Sequence, residues 1–591
     1  MIYPKIPLAQ TVIQLCKAKN IKHIVISPGS RNAPLTIGFT NDSFFKCYSI
    51  VDERCAAFFA LGIAQQLKEP TAVICTSGSA LLNYYPAVAE AYYSDIPLVV
   101  LSADRPKHLI GIGDGQTINQ KNVFENHILY AANLKLDLND DKNVPGHEEL
   151  PIFKNLENKF ERLLGLQKDI QTHNEEEVNT AINFARIKNG PVHINVPFDE
   201  PLYETIHTLR VSPKTIDVNV EPEGIEDYVL QSCLEDWNTA SKKMILVGVN
   251  APNQIEKKWL VELVNDDSVI VLTETTSNLH DPSFFPSIDQ LIAPLSEKEK
   301  QQLQPDILLT FGGLIVSKKI KQLLRKYQPK NHWHINSKKA NDTFFCLNNH
   351  IKKKPNEFFQ VFLPRVTHYV KSNYKDRWEA VKQHRLKKHK AYLETIPFSD
   401  FKVFSTVLKS IPDHYILQSG NSSAIRYMQL FNIDKTIEVF CNRGTSGIDG
   451  STSTAIGCAV AIKKPTLLIT GDLSFLYDSN ALWNNYIPKN FRIIIVNNQG
   501  GGIFRILPGH KNTENFDTYF ETNHHLTAEH LCKMYGINYK SVSNENTLNS
   551  SLEMFYLEDN QPKLLEIFTP KQINDEVLLK YFDFISKISD L

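Results

Sequence analysis

Short, largely apolar runs recur along this chain, and most of them stop on or just before serine, glycine, aspartate or asparagine. A strand without polar alternate positions has to be covered on both faces, a demand met by parallel sheets flanked by helices and not by one-sided antiparallel sheets. In the first third the runs are 22–27, 71–78 and 96–104, followed by 191–197 after an irregular, charged stretch at 137–188. Between them, 53–67 and 80–93 carry Ala, Leu and Phe at helical spacing, so strands alternate with helices as in a doubly wound fold. The pattern returns in the middle of the chain at 243–249, 268–273 and 306–312, and in the last third at 415–420, 437–441, 465–471 and 491–497. The 591 residues suit several domains at roughly 100–200 residues each. The expected architecture is α/β: three doubly wound parallel-sheet domains at 1–205, 206–365 and 366–591.

Charge and composition exclude several kinds of partner. Lys and Arg number 64 against 65 Asp and Glu, so there is no basic excess to attract nucleic acid. Basic clusters between 318 and 390, Lys352-Lys353-Lys354 and Arg385-Leu-Lys-Lys-His-Lys390, read as a solvated helical face and a linker, because no aromatic residues alternate with them for base stacking. The N-terminus lacks a basic region followed by a long apolar core, and apolar runs such as 96–103 are too short for a bilayer, so no membrane insertion and a cytoplasmic location are expected. Nine scattered cysteines without a CxxC pair argue against a disulfide framework or a structural zinc site.

The chemistry concentrates where two late strands end. Gly471-Asp472-Leu473-Ser474 follows one apolar run and Asn497-Asn498-Gln499-Gly500 the next, with Asn498 standing 26 residues after Asp472. A strand–helix–strand crossover of that length can bring the two side chains together at the sheet edge where ligands bind in open parallel sheets. The carboxylate of Asp472, the amide oxygen of Asn498 and a backbone carbonyl at Gly500 make an oxygen-only set that suits Mg²⁺, or Mn²⁺ in its place. Backbone N–H groups of Leu473 and Ser474, opening the next helix, would face phosphate oxygens on the same ion.

This pair of segments resembles the diphosphate-and-metal motif of thiamine diphosphate enzymes, with Leu473 where that motif commonly has glycine. Such enzymes also need a carboxylate for the aminopyrimidine, and Glu53, after the run at 47–51 and at the start of an Ala-rich helix, stands in the matching place. Further blocks narrow the likeness: Ser27-Pro-Gly-Ser-Arg-Asn-Ala-Pro-Leu35, Asp52-Glu-Arg54, Thr76-Ser-Gly-Ser-Ala80, Ser102-Ala-Asp-Arg-Pro106, Asn442-Arg-Gly-Thr-Ser-Gly-Ile-Asp-Gly450 and Gly471-Asp-Leu-Ser-Phe-Leu-Tyr-Asp478. Spread over 27–507, they are similar to the 2-succinyl-5-enolpyruvyl-6-hydroxy-3-cyclohexene-1-carboxylate synthase family of menaquinone biosynthesis.

The resemblance implies a transferase that joins 2-oxoglutarate, after loss of carbon dioxide, to isochorismate. It implies catalytic roles for Glu53, Gln116 and Arg31, and substrate binding by Ser30, Arg31, Arg105, Lys318, Ser422, Arg426 and Arg443. Ile503, Phe504 and Leu507 would form an apolar wall. Cofactor binding would fall to Glu53, Ser79, Ile448, Gly471, Asp472, Leu473, Ser474, Asn498 and Gly500. A homodimer or dimer of dimers is implied, because in this family the first and third domains meeting one cofactor belong to different subunits. Two positions depart from the pattern, Lys319 in place of arginine and Gly115 in place of a side-chain donor. Alternatives are another 2-oxo acid decarboxylase, an acetolactate-type carboligase, or a non-catalytic cofactor-binding relative. A pair of proton-donating histidines would mark the decarboxylase, and the adjacent pair His524-His525 reads as incidental in a late polar loop.

Overall fold

A computed structural model describes residues 1–137, 167–218, 224–367, 370–506, 513 and 515–586. The chain divides into two units, one formed by Met1–Val220 with Thr452–Lys463 and Asp478–Pro488, the other by Glu221–Ser451 with Lys464–Tyr477 and Lys489–Leu591.

In the first unit, β1 (Tyr3–Pro4) pairs antiparallel with β8 (Thr205–Ile206). The main sheet holds β2 (His23–Ile26), β3 (Lys46–Ser49), β4 (Thr71–Cys75), β5 (Leu98–Asp104), β6 (Tyr130–Asn133) and β7 (Val192–Pro197). They run parallel in the order β3-β2-β4-β5-β7-β6. The helix Glu53–Leu67 forms as expected and buries every residue from Cys55 to Ala64. Its tight fit rests on two glycines. A Cβ at Gly62 would stand 2.1 Å from the Thr454 carbonyl oxygen, and one at Gly457 would stand 2.0 Å from that of Phe59, so this helix and Ser451–Ala461 meet backbone to backbone. Gly457→Ala is therefore expected to cost about 1–3 kcal/mol by overpacking and to lower the thermal midpoint in scanning fluorimetry; an unchanged midpoint would contradict this packing.

The second unit carries two sheets. β9 (Lys243–Val247), β10 (Val269–Thr273), β11 (Ile307–Phe311), β12 (Asn331–Ile335) and β13 (Leu347–Ile351) lie in the order β10-β9-β11-β12-β13. β14 (Ile416–Ser419), β15 (Glu438–Cys441), β16 (Thr466–Gly471), β17 (Phe491–Asn497), β18 (Asn538–Val542) and β19 (Lys563–Phe568) lie in the order β15-β14-β16-β17-β19-β18. All these pairings are parallel. Two-sided burial explains the continuous apolar runs: Ile245, Val247, Val271 and Leu309 enter one core, while Met244, Leu246, Leu272 and Leu308 enter another.

Several sequence expectations are corrected. The stretch at 137–188 is not irregular where it is described, since Gln167–Lys188 is a helix, and 138–166 lie outside the described residues. The expected helix at 80–93 is two, Ser79–Asn83 and Tyr85–Ser94. The basic region from 318 onward is not merely a solvated face and linker. It contains β12 and β13, and within the helix Tyr374–Thr395 both Arg385 and His389 are buried. The Arg385 guanidinium donates to the Ile585 carbonyl. All nine cysteines are free. No described helix is long and apolar enough to cross a membrane.

Candidate active site

Site residues gather in two sets, one in each unit. In the first, Asp52 N-caps the helix Glu53–Leu67, its Oδ1 accepting from Arg54 N at 3.0 Å and Cys55 N at 3.3 Å, which places the half-buried Glu53 at the favourable end of the helix dipole. Asn83 Nδ2 donates to Glu53 Oε2 at 3.4 Å. Behind this turn Asn480 Nδ2 donates to Asp52 Oδ2 at 2.8 Å, and the buried Asp478 accepts from Ser453 N at 2.7 Å and Ser453 Oγ at 2.8 Å. Burial pushes the Asp478 carboxyl up to about 6.

Gly29 lets the turn after β2 approach Thr76, whose Cβ would be 2.4 Å from a Cβ at that position. The turn carries exposed Ser30 and buried Arg31. Arg31 Nη1 donates to the Phe198 carbonyl at 3.1 Å and Nη2 lies 3.2 Å from Glu200, while Nε is buried without a partner. Burial first, then Arg105, lowers the Arg31 pKa. Arg105 directly follows β5 and donates to the Gly115 carbonyl at 3.0 Å. Gly78, at φ +83°, has no Cβ to strike the Gln116 carbonyl, which would be 2.9 Å away, so the segment bearing Gln116 lies against the turn that leads into Ser79. Ser30, Arg31, Glu53, Ser79, Arg105 and Gln116 thus stand on the turns, helix starts and loop that follow the strands of one sheet.

In the second unit, four neighbouring strands end in site residues. In spatial order β15 leads to Arg443, β14 to Ser422, β16 to Asp472 and β17 to Asn498. Asp472 Oδ1 accepts from Leu473 N at 2.7 Å, so that N–H is already engaged, and Oδ2 accepts from Gly500 N at 3.0 Å. Asn498 Nδ2 donates to Asp400 Oδ2 at 2.9 Å. A carboxylate only accepts, so the Asn498 amide must turn its oxygen the other way, and that buried Oδ1 has no partner. The Gly500 carbonyl accepts from Gly502 N at 3.0 Å and keeps its second lone pair. A Cβ on Gly471 would meet nothing within 4 Å, so the strand end is open there. Among the described residues no group of three His, Cys, Asp or Glu could hold a metal.

The loop after β15 is held by Asn421, which donates to the carbonyls of Asn442 and Gly447, each at 2.7 Å, and accepts from Arg443 Nη1 at 2.8 Å. Ser474 Oγ donates to the Ile448 carbonyl at 2.7 Å, and the Ile448 side chain is left 37% exposed. Ser422 sits at φ 62°, ψ −124°, a strained position for a residue with a Cβ, before the helix Ser423–Met428 that carries Arg426. Arg426 is half-buried and has no hydrogen-bond partner among the described residues; burial and then Arg443 lower its pKa. Lys318 is the exposed first residue of the helix Lys318–Lys326, whereas Lys319 turns over the Phe582 ring, 4.7 Å from its centroid. Ile503 and Phe504 are half-buried in the short helix Ile503–Ile506, and Leu507 lies outside the described residues.

Sequence reading missed the supports. His524, which its late polar loop marks as incidental by sequence, places Nε2 3.3 Å from Asp472 Oδ2. Asp400, which acts on Asn498 98 positions away, and Asn421 carry no motif of their own, and Asp478 stands in the block 471–478 with its partner Ser453 unmarked. Lys321, one turn beyond Lys318, is half-buried, and burial lowers its pKa.

Residues 6–128 match the family model described as thiamine pyrophosphate enzyme, N-terminal TPP binding domain, and 223–410 match the middle domain of thiamine pyrophosphate. With parallel sheets and strand-end sites, this defines a thiamine diphosphate-dependent enzyme. A 2-succinyl-5-enolpyruvyl-6-hydroxy-3-cyclohexene-1-carboxylate synthase of Christiangramia forsetii is 56% identical over 99% of this chain and 100% of its own. One from Flavobacterium psychrophilum is 55% identical over 98% and 99%, and one from Phocaeicola vulgatus 35% identical over 97% of both. The chain belongs to the 2-succinyl-5-enolpyruvyl-6-hydroxy-3-cyclohexene-1-carboxylate synthase family.

Proposed function

We propose that this enzyme decarboxylates 2-oxoglutarate and joins the succinyl unit to isochorismate in menaquinone biosynthesis, using thiamine diphosphate and Mg²⁺ or Mn²⁺, in the cytoplasm. The observation that carries the reading is the half-buried, unbonded Arg426 beside Arg443, on the strand ends that also carry Asp472 and Asn498. Arg426 makes no hydrogen bond among the described residues and Arg443 is bonded there only through Nη1 to the neutral Asn421 amide, leaving its buried Nε unpartnered, so both keep donors for a carboxylate ligand. The cofactor residues fit: the orphan Asn498 oxygen, Asp472 and the Gly500 carbonyl would hold the cation, and the open space at Gly471 leaves room for phosphate oxygens.

When bound, thiamine diphosphate supplies an acidic thiazolium carbon and an electron sink for decarboxylation. The chain's own work is different. Glu53 would hold the aminopyrimidine through its carboxylate and so bias where the proton of that ring resides. Arg31, Arg105, Gln116, Lys318, Ser422, Arg426 and Arg443, with Ser30, would hold the carboxylates of the two substrates, and Ile503, Phe504 and Leu507 would exclude water. Ser79, Ile448, Leu473 and Ser474 complete the cofactor cradle. Because Glu53 lies in the domain 1–205 and Asp472 in 366–591, with 206–365 between, one cofactor needs both domains. The proposed unit is a homodimer or dimer of dimers in which each site draws one domain from each protomer.

The test is product formation and carbon dioxide release from 2-oxoglutarate and isochorismate with both cofactors present. Arg426→Ala or Arg443→Ala should raise KM for 2-oxoglutarate about tenfold or more, since a charge-assisted hydrogen bond contributes about 1.5–3 kcal/mol, and pyruvate, with one carboxylate, should be a poor donor. Efficient turnover of pyruvate with indifference to isochorismate would favour an acetolactate-type carboligase.

A further inference from the structure

Five residues following β10 touch all three elements that carry the carboxylate-binding cations. Glu274 is buried, and its two carboxylate oxygens accept from Val316 N and Ser317 N, each at 2.7 Å. These are the residues immediately before Lys318, and Ser317 Oγ caps the Lys318 helix through Ile320 N at 3.1 Å. Thr275 reaches the second element: its N–H and Oγ1 donate to Gln429 Oε1 at 3.0 and 3.2 Å, at the C-terminal end of the helix that carries Arg426. Asn278 reaches the third, pairing with the backbone of the edge strand β15. Its Nδ2 donates to the Val439 carbonyl at 2.9 Å and its Oδ1 accepts from Val439 N at 2.8 Å, four residues before Arg443. The segment is itself braced, because Glu274 N donates to Ser277 Oγ at 2.9 Å and that hydroxyl donates to the Val247 carbonyl at 2.7 Å.

We propose that Glu274, acting with Thr275 and Asn278, is a positioning residue that sets Lys318, Arg426 and Arg443 in register for a dicarboxylate substrate, an inference that rests on the reading of those cations given above. The three cations stand on separate elements, a helix start in the central sheet's layer, a helix after β14 and a loop after β15, and although Asn421 ties that loop to the end of β14, its bonds do not reach all three elements. One rigid segment bonded to all three does. Both Glu274 oxygens are spent on backbone N–H groups, so the carboxylate holds the frame without occupying a cation. Arg443 is within its electrostatic range. A glutamine there keeps the shape but presents an amide N–H₂ to one of the two backbone N–H groups, so one bond is lost and the residues before Lys318 must move.

The experiment uses the full-length enzyme with thiamine diphosphate and Mg²⁺, and glutarate, a dicarboxylate without a keto group, as a competitive inhibitor. Glu274→Gln is expected to raise KM for 2-oxoglutarate and Ki for glutarate by about tenfold, with kcat changed far less and cofactor affinity unaltered by calorimetry. Asn278→Ala, which releases only β15, should shift both constants in the same direction, and it carries the test if Glu274→Gln does not fold. A lower melting temperature with unchanged KM and Ki in the folded variants would make the segment merely structural and overturn the inference. Arg426→Ala separates the two readings. If it leaves Ki for glutarate unchanged, the cation assignment itself falls; if it raises Ki while Glu274→Gln and Asn278→Ala do not, positioning alone is overturned.

Discussion

Glu53→Gln is expected to fold, to bind thiamine diphosphate and Mg²⁺ with near wild-type affinity, and to turn over roughly 10²–10⁴-fold more slowly, the range that a positioned proton-transfer group contributes. The substitution is nearly isosteric and leaves intact the Asp52 cap, which accepts from the backbone of Arg54 and Cys55, so the helix start should not shift. It removes only the carboxylate, the group that would bias the aminopyrimidine proton. Calorimetry of cofactor binding, set beside steady-state carbon dioxide release, separates the two effects. Near-normal turnover would remove Glu53 from the chemistry, and a cofactor affinity lost in parallel with activity would mean that the residue shapes the binding site.

Asp472→Ala should instead lose metal and cofactor together. In the proposed oxygen set Asp472 is the one anionic ligand, and it also anchors Gly500 N at 3.0 Å. Removing mere outer-sphere partners of a metal already costs about 10–100-fold in affinity, so Mg²⁺ affinity should fall by at least about a hundredfold, measured as the Mg²⁺ concentration that half-saturates cofactor binding. An unchanged value would place the metal elsewhere. The two variants together test the assembly. Co-expressed Glu53→Gln and Asp472→Ala chains, each inactive alone, should recover part of the activity as hybrids with one intact site. Hybrids that form but stay inactive would put both residues of a site on one chain.

What could be read along the chain was local. Continuous apolar runs mark β2, β4, β5, β9, β10, β11, β16 and β17, because strands covered on both faces bury nearly every side chain. The strands that escaped notice have another composition. β12 reads Asn-His-Trp-His-Ile, and its His332 and His334 side chains find Thr310 Oγ1 at 2.9 and 2.8 Å. β19 has Glu566 in its middle, buried and bonded to Thr527, Ala528, Tyr539 and Asn497. Polar residues become strand residues there only because tertiary partners satisfy them. The same reason puts Arg385 inside rather than on a solvated face.

The candidate site divides along the same line. Glu53 at a helix start, and Asp472 and Asn498 one crossover apart at adjacent strand ends, were legible in the sequence because chain spacing alone determines that a strand–helix–strand unit returns to the same sheet edge. Their orientation was not. The Asn498 oxygen is left without a partner because Asp400, 98 positions away, takes the amide nitrogen, and the bonds from Glu274, Thr275 and Asn278 to the elements of Lys318, Arg426 and Arg443 span 42 to 161 positions. No periodicity or motif encodes such contacts. They exist only once the sheets have packed and brought distant hydrogen-bonding groups within reach, so tertiary structure alone decided how the site's side chains are aimed.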